Sequence, residues 1–336
     1  MKLQKLYFFC LLSLFFVACK SKHEKLADQH GEKISVMRYD RLLNEYVRFN
    51  SLSALQKMNN TENMQATKLL VEDVLAIGNM EDDNINQKLK TFYSDTTLIR
   101  LMADVESHFP DLSIIETNLT KGFGKLKREI PEINIPRIYS QISAFNESIV
   151  VSDTLVGISL DKYMGKNYAL YKRYYYDYQC RSMSPERIVP DCFLFYLLST
   201  YPLPLDIERS LLNVMLHYGK ICYVVNQILD SKFSPESFLG YSISEKKWCK
   251  TNKEKIWAFM LTNGQLGKTD PMLIRIYLKQ APFNSFFGEE SPSFLGTWMG
   301  MQIVASYMER NKKITLHDLL MTTDYNYILS KSEYAI

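Results

Sequence analysis

The chain has 336 residues, 46% hydrophobic and 13% aromatic, with 22 Tyr and 18 Phe, ample apolar material for a large core. Its formal charge of +3 falls to +1 once Lys2 and Lys5 of the N-terminal leader are removed. That balance predicts neither a nucleic-acid partner nor an electrostatic grip on a membrane surface.

Residues 1–18, MKLQKLYFFCLLSLFFVA, join a short basic start to an apolar run and a small residue before Cys19. A membrane span needs roughly 20 or more apolar residues, so this is a secretory signal peptide. Phe16-Val17-Ala18-Cys19 is similar to a bacterial lipobox, with Phe16 where Leu is usual, and makes Cys19 the expected lipidation site. Residues 19–32 are polar and aperiodic, which predicts a flexible lipidated tether. No acidic run follows Cys19, which favours an outer-membrane lipoprotein facing the periplasm.

From Ile34 a strand-like run passes into a helix, and apolar residues at three- and four-residue spacing predict helices onward to Pro131. The character then changes: NIPRIYSQISAF and ESIVVSDTLVGISLDKYMG are β-branched and partly alternating, and predict two or three strands. After Gly165 comes an aromatic helix or loop, then a helix opening at Ser184-Pro185. The longest apolar-periodic helix is expected over residues 204–230, and further helical segments close the chain. The expected class is α+β, mostly α, with one domain over 33–336: a helical part, 33–131, then the sheet and core helices, 132–336.

Four cysteines lie beyond Cys10 and Cys19: Cys180, Cys192, Cys222 and Cys249. None forms a C-x-x-C pair, which argues against a zinc knuckle. Cys180 and Cys192 are close enough in sequence to bridge in an oxidising compartment, whereas Cys222, on an apolar helix face, reads as a buried thiol.

His217 begins like the zinc-protease signature H-E-x-x-H, but Tyr218 stands where the catalytic Glu belongs and Ile221 where the second His belongs. With no two histidines three or four apart, no catalytic zinc and no other cofactor is expected. Gly219 in mid-helix costs about 1 kcal/mol against Ala and implies close approach of another backbone. A buried Lys220 would need an acidic partner, for which Asp161 and the pair Glu289-Glu290 are candidates. His217, Gly219 and Lys220 over a strand carrying Asp161, with Glu290 nearby, are open to three readings: a polar network, a divalent-cation site or a small pocket.

Gly296 and Gly300 are expected to let their helix pack against the one carrying His217, with Glu289 and Glu290 acting as acids near its N-terminus. Gly267-Lys268-Thr269 lacks the earlier glycine of a phosphate loop, since Thr262 stands there, and Ser159 lacks a nucleophile-elbow context. The tyrosines from Tyr163 to Tyr178 are equally open to a binding surface for sugars or a partner protein and to internal packing.

Met37-Arg38-Tyr39-Asp40, GISLDKYMG, SPERIVPD, HYGKICYVV, EKKWCKTNKEKIWAF and GEESPSFLGTWMGMQIVASYM together resemble the gliding-motility lipoprotein family GldB of Bacteroidetes, over nearly the whole chain. The resemblance implies a degenerate zincin-like core, in which His217 matches a first metal ligand while Tyr218 and Ile221 match neither base nor second ligand. It implies a lipid-anchored envelope protein linked to gliding and its protein secretion machinery. Envelope proteins and the membrane are then the partners, and the role is a non-catalytic scaffold or binding module. The alternative is a metal-dependent hydrolase built on Asp161, His217 and Glu290.

Overall fold

The computed structural model describes residues 33–229 and 239–334. The expected signal peptide, Cys19 and the tether lie outside the described residues, as do 230–238 within the chain.

Strand β1 (Val36–Met37) leads directly into helix α1 (Tyr39–Phe49), and the Met37-Arg38-Tyr39-Asp40 motif locks that junction. The Arg38 guanidinium donates to both oxygens of Asp40, at 2.9 and 2.8 Å, and to the Phe109 carbonyl at 3.0 Å. Ser140 donates to the same Asp40 carboxylate, which fastens the start of the fold to a strand a hundred residues later. Five more helical elements follow: α2 (Leu52–Met58), α3 (Met64–Lys68) running into a π-helical turn (Leu69–Val74), α4 (Ile85–Tyr93), α5 (Thr96–His108) and α6 (Ser113–Glu129).

The β-branched segment forms β2 (Arg137–Gln141), β3 (Ile149–Val151) and β4 (Leu155–Ser159). The sheet order is β1-β2-β4-β3, with β1, β2 and β4 parallel and β3 antiparallel on the edge. All five residues of β4 are buried, so the sheet is covered on both faces. Helices from both halves of the chain pack on it: α1 against β2, and α9 (Ile188–Thr200) against β3 and β4.

Between β4 and α9 lie the short helices α7 (Tyr171–Tyr174) and α8 (Asp177–Cys180). The expected helix over 204–230 is shorter at its start: α10 spans Leu211–Ile228, with the Ser210 hydroxyl accepting from the Asn213 N–H as its cap. Pro202 and Pro204 precede that cap, and proline restrains the residue before it from helical geometry. The remaining helices are α11 (Ile243–Thr262), α12 (Pro271–Leu278), α13 (Leu295–Arg310), α14 (Leu316–Met321) and α15 (Tyr325–Ser332). Helix α11 opens with a reciprocal Ser242–Glu245 capping box. The protein is thus α+β and mostly helical, around a contiguous buried core.

Helices α10 and α13 pack backbone to backbone, and glycine permits it. A methyl group built on Gly219 would sit 2.4 Å from the Gly300 carbonyl carbon, and one on Gly300 would sit 2.2 Å from the Met215 oxygen. The expected role of Gly300 therefore holds, while Gly296 instead lies against Tyr277 and Leu278 of α12. The four cysteines Cys180, Cys192, Cys222 and Cys249 are free thiols and buried, so Cys180 and Cys192 are not bridged. Among the described residues, no helix is long and apolar enough to cross a membrane.

Candidate functional site

Helix α10 places His217 and Lys220 on its buried side, at 3% and 2% exposure. Both face the C-terminal end of the chain. The Nδ1 atom of His217 is 3.0 Å from the Tyr325 hydroxyl. Burial first, then the charges of Lys220 and Arg209, push the imidazole down to a pKa of about 4, so it is neutral at physiological pH. Lys220 Nζ donates to the carbonyls of Leu320 at 2.9 Å and Thr322 at 2.8 Å, and lies 5.3 Å from the centre of the Tyr325 ring. These carbonyls end α14, where helical hydrogen bonding leaves acceptors unfilled, so the ammonium caps a helix C-terminus. Burial lowers its pKa to about 8.

The acid partner expected for Lys220 is thus replaced by backbone carbonyls. Asp161, fully buried in the turn after β4, accepts from the Ser143 N–H at 2.8 Å and the Phe145 N–H at 2.7 Å. Ala144 and Phe145 have left-handed backbone angles, φ 52° and 68°, and the carboxylate holds that turn between β2 and β3. Burial raises its pKa, opposed by these hydrogen bonds. Glu290 is exposed, in a turn ahead of α13, and lines a surface cleft with Trp248 and Lys255. The helix begins only at Leu295, so Glu289 and Glu290 do not stand in its first turn as expected, and the Ser291 hydroxyl donates to the Gly288 and Asn284 carbonyls. His217, Gly219 and Lys220 therefore share one helix crossing, whereas Asp161 and Glu290 serve other parts of the fold. Among the described residues, no three His, Cys, Asp or Glu side chains gather as a metal-ligand set.

The tyrosine-rich segment divides between the two readings. Tyr163 and Tyr171 are core residues, and the Tyr171 hydroxyl donates to the Asp161 carbonyl. Tyr174 and Tyr176 are exposed, and the Tyr176 ring stacks on Tyr178 with centroids 5.7 Å apart.

A second arrangement escaped sequence reasoning. A cleft of about 370 Å³ lies between α9, α10, the end of α12 and the start of α13. On α9, Asp191, Leu194, Phe195 and Leu198 line it in a helical row, and Tyr218 and Cys222, one turn apart on α10, line it from that helix. Asp191 is held by Arg187 one turn before it and accepts from the Tyr163 hydroxyl at 3.0 Å. Burial raises the Asp191 pKa, with Arg187 opposing it. Phe294, which also lines the cleft, carries a left-handed backbone at φ 58°, a strained geometry for a bulky residue. The i, i+4 spacing of Arg187 and Asp191 was a legible sign of a helical ion pair. Its position in a cleft was not, because the other walls come from distant segments. This cleft has the volume and the mixed lining, mostly apolar with a few convergent charges, of a ligand site.

A family model described as gliding motility protein GldB matches residues 20–336. No curated protein and no solved structure matches the chain.

Proposed function

The chain belongs to the gliding motility protein GldB family, and on that premise we propose that it is a lipid-anchored envelope protein acting in gliding motility and the associated protein secretion. In this reading Cys19 holds it in the outer membrane, the folded part faces the periplasm, and its role is that of a non-catalytic scaffold or binding protein for envelope partners.

The observation that carries the non-catalytic part is the internal commitment of the chemically capable groups. His217 is bound to Tyr325, Lys220 to two carbonyls and Asp161 to two backbone N–H groups. Each hydrogen bond holds part of the fold together, and Glu290 is exposed elsewhere. A hydrolase would need these groups to converge on one reacting atom. Descent of the core from a zinc-dependent protease belongs to the same proposal. The family resemblance supports it.

Radiolabelled palmitate and cell fractionation test the anchoring. Label on the wild type, its loss in Cys19→Ala, and resistance to external protease until the outer membrane is opened are the expected results. A wild-type protein that is unlabelled, or digested in intact cells, overturns that reading. A chelator-sensitive peptidase activity in the purified protein, abolished by His217→Ala, overturns the non-catalytic role.

A further inference from the structure

The segments EKKWCKTNKEKIWAF and GEESPSF belong to α11 and to the turn ahead of α13, and they meet across a surface cleft of about 750 Å³. On α11, Ser244, Trp248, Thr251 and Lys255 recur at three- and four-residue spacing and line it over roughly 16 Å of helix. Cys249, Ile256, Trp257 and Met260 of the same helix are buried in the core. The facing wall is a loop closed on itself by buried Asn284. Its side-chain oxygen accepts from the Phe286 N–H at 3.0 Å, and its carbonyl accepts from the Phe287 N–H at 3.0 Å and the Ser291 hydroxyl at 3.1 Å. Gly288 turns the chain there with a left-handed φ of 81°. The loop is therefore a fixed shelf for Phe287, Glu289 and Glu290.

Trp248 is half-buried, and its ring meets Phe287 at 65° with centres 6.0 Å apart. Among the described residues no ring lies parallel on the indole, and its N–H donates to no group. Apart from Trp248 and Phe287, every residue lining the cleft is polar or charged. Lys247, Lys255, Glu289 and Glu290 are exposed, and their side chains make no ion pair or hydrogen bond among the described residues. Arg181 pairs with Glu245 at 2.7 Å, so the three cations of the lining are balanced by three carboxylates.

This composition selects among ligand classes. An acyl chain would cover polar walls without pairing them. A phosphate or a nucleic acid needs a surplus of positive charge, which the lining lacks. An added peptide strand needs a row of open main-chain donors and acceptors, whereas the walls here are a helix and a closed loop. A pyranose suits both parts of the lining. Its apolar C–H face, slightly positive, lies against the negative face of an indole, and its hydroxyls donate to carboxylates and accept from ammonium groups.

We propose that this cleft binds a glycan of uncharged pyranose units, with one ring stacked on Trp248, its hydroxyls donating to Glu289 and Glu290 and accepting from Lys255. Roughly 16 Å of lined helix takes an oligosaccharide in preference to a single sugar. The inference goes beyond the scaffold reading and does not depend on it, since neither the anchor nor the state of His217 enters it. Such glycan chemistry occurs both in the cell wall and in secreted or surface polysaccharide, and the test separates these sources.

The mature chain from Lys20, detected through a terminal tag, is applied to an array of neutral oligosaccharides built from N-acetylglucosamine, glucose, mannose, galactose and xylose, and the tetrasaccharide retained is titrated by calorimetry. Binding with Kd below about 1 mM is expected. Trp257 and Trp298 are buried, at 4% and 1% exposure, so a shift of tryptophan emission on binding reports Trp248. Trp248→Ala should weaken binding about tenfold or more, and Glu290→Gln and Lys255→Met several-fold each. The last two replace exposed side chains and should leave the melting temperature unchanged, so they decide the matter if Trp248→Ala unfolds. Retention on purified peptidoglycan sacculi together with the N-acetylglucosamine tetramer assigns the ligand to the cell wall. Binding of another neutral series without the sacculi assigns it to secreted or surface polysaccharide, and either result upholds the site. Binding by no glycan below about 10 mM overturns the inference, as does a glycan whose affinity all three variants leave unchanged. A preference for sulfated or phosphorylated glycans over their neutral counterparts also overturns it.

Discussion

Replacing Gly219 by alanine probes the helix crossing that the whole account depends on. The added methyl would lie 2.4 Å from the Gly300 carbonyl carbon, 2.7 Å from the Met301 nitrogen and 2.8 Å from the Gly300 Cα. All three are backbone atoms, so no rotamer change relieves the clash. Restoring an ordinary carbon contact of about 3.5 Å requires α10 and α13 to part by about 1 Å, along a seam whose residues are almost entirely buried. Overpacking of this kind costs about 3 kcal/mol or more where the backbone is the obstacle. The better helix propensity of Ala offsets about 1 kcal/mol of that, leaving a net loss of about 2 kcal/mol or more. Gly267→Ala is the control: nothing lies within 4 Å of its added methyl, and it should be neutral or slightly stabilising. Urea unfolding of the mature chain at pH 7.5 measures both. A Gly219→Ala protein as stable as the Gly267→Ala control would show that the helices do not cross this closely, and the placement of His217 and Lys220 would fall with it.

His217 should make the protein acid-sensitive. Its folded pKa is depressed to about 4 from an ordinary 6.5, so the folded state binds its proton less readily than the unfolded chain does. The stability is fully present above about pH 6.5 and is lost as pH falls toward 4, by up to about 3 kcal/mol; pH-dependent urea titrations should show that slope shrinking in His217→Gln. Lys220 has the same direction of shift in a higher window, with a folded pKa of about 8 against 10.5. Wild type should therefore gain on Lys220→Met by up to about 3 kcal/mol as pH rises from 8 to 10.5; a constant difference across that range would refute the burial of the amine. Tyr325→Phe should cost about 1 kcal/mol by thermal or chemical unfolding, since it removes the hydroxyl that meets His217. A thiol titration with Ellman's reagent should find all four cysteines unreactive in the native mature chain and all four reactive in denaturant without reductant. Two thiols instead of four would reveal a disulfide. Burial pushes the Cys222 thiol up to about 12, which adds to its inertness.

What was legible in the sequence was local. The β-branched runs around Ile138, Val150 and Ile158 announced strands. Gly219 and Gly300 announced a close backbone approach, since an unpaid helix glycine needs a packing reason. What stayed hidden was long-range and carried by the main chain. Lys220 visibly needed a partner, but the partners are carbonyls of Leu320 and Thr322, and a backbone acceptor leaves no mark in the sequence. Asp161 likewise meets backbone N–H groups, so residue types alone suggested a constellation with His217 that the fold does not assemble. The cleft was hidden for a related reason. Leu194, Phe195 and Leu198 look like core residues on a thoroughly apolar helix, and only the positions of α10, α12 and α13 leave that side of α9 open.

Metal content of the mature chain from Lys20, by elemental mass spectrometry with His217→Ala alongside, tests the central claim most directly. The account predicts no stoichiometric transition metal in either protein, with both folded by circular dichroism. About one zinc or other transition ion per chain, lost in His217→Ala, would contradict it: His217 would then be a ligand and not the partner of Tyr325, and the hydrolase alternative would take the place of the scaffold.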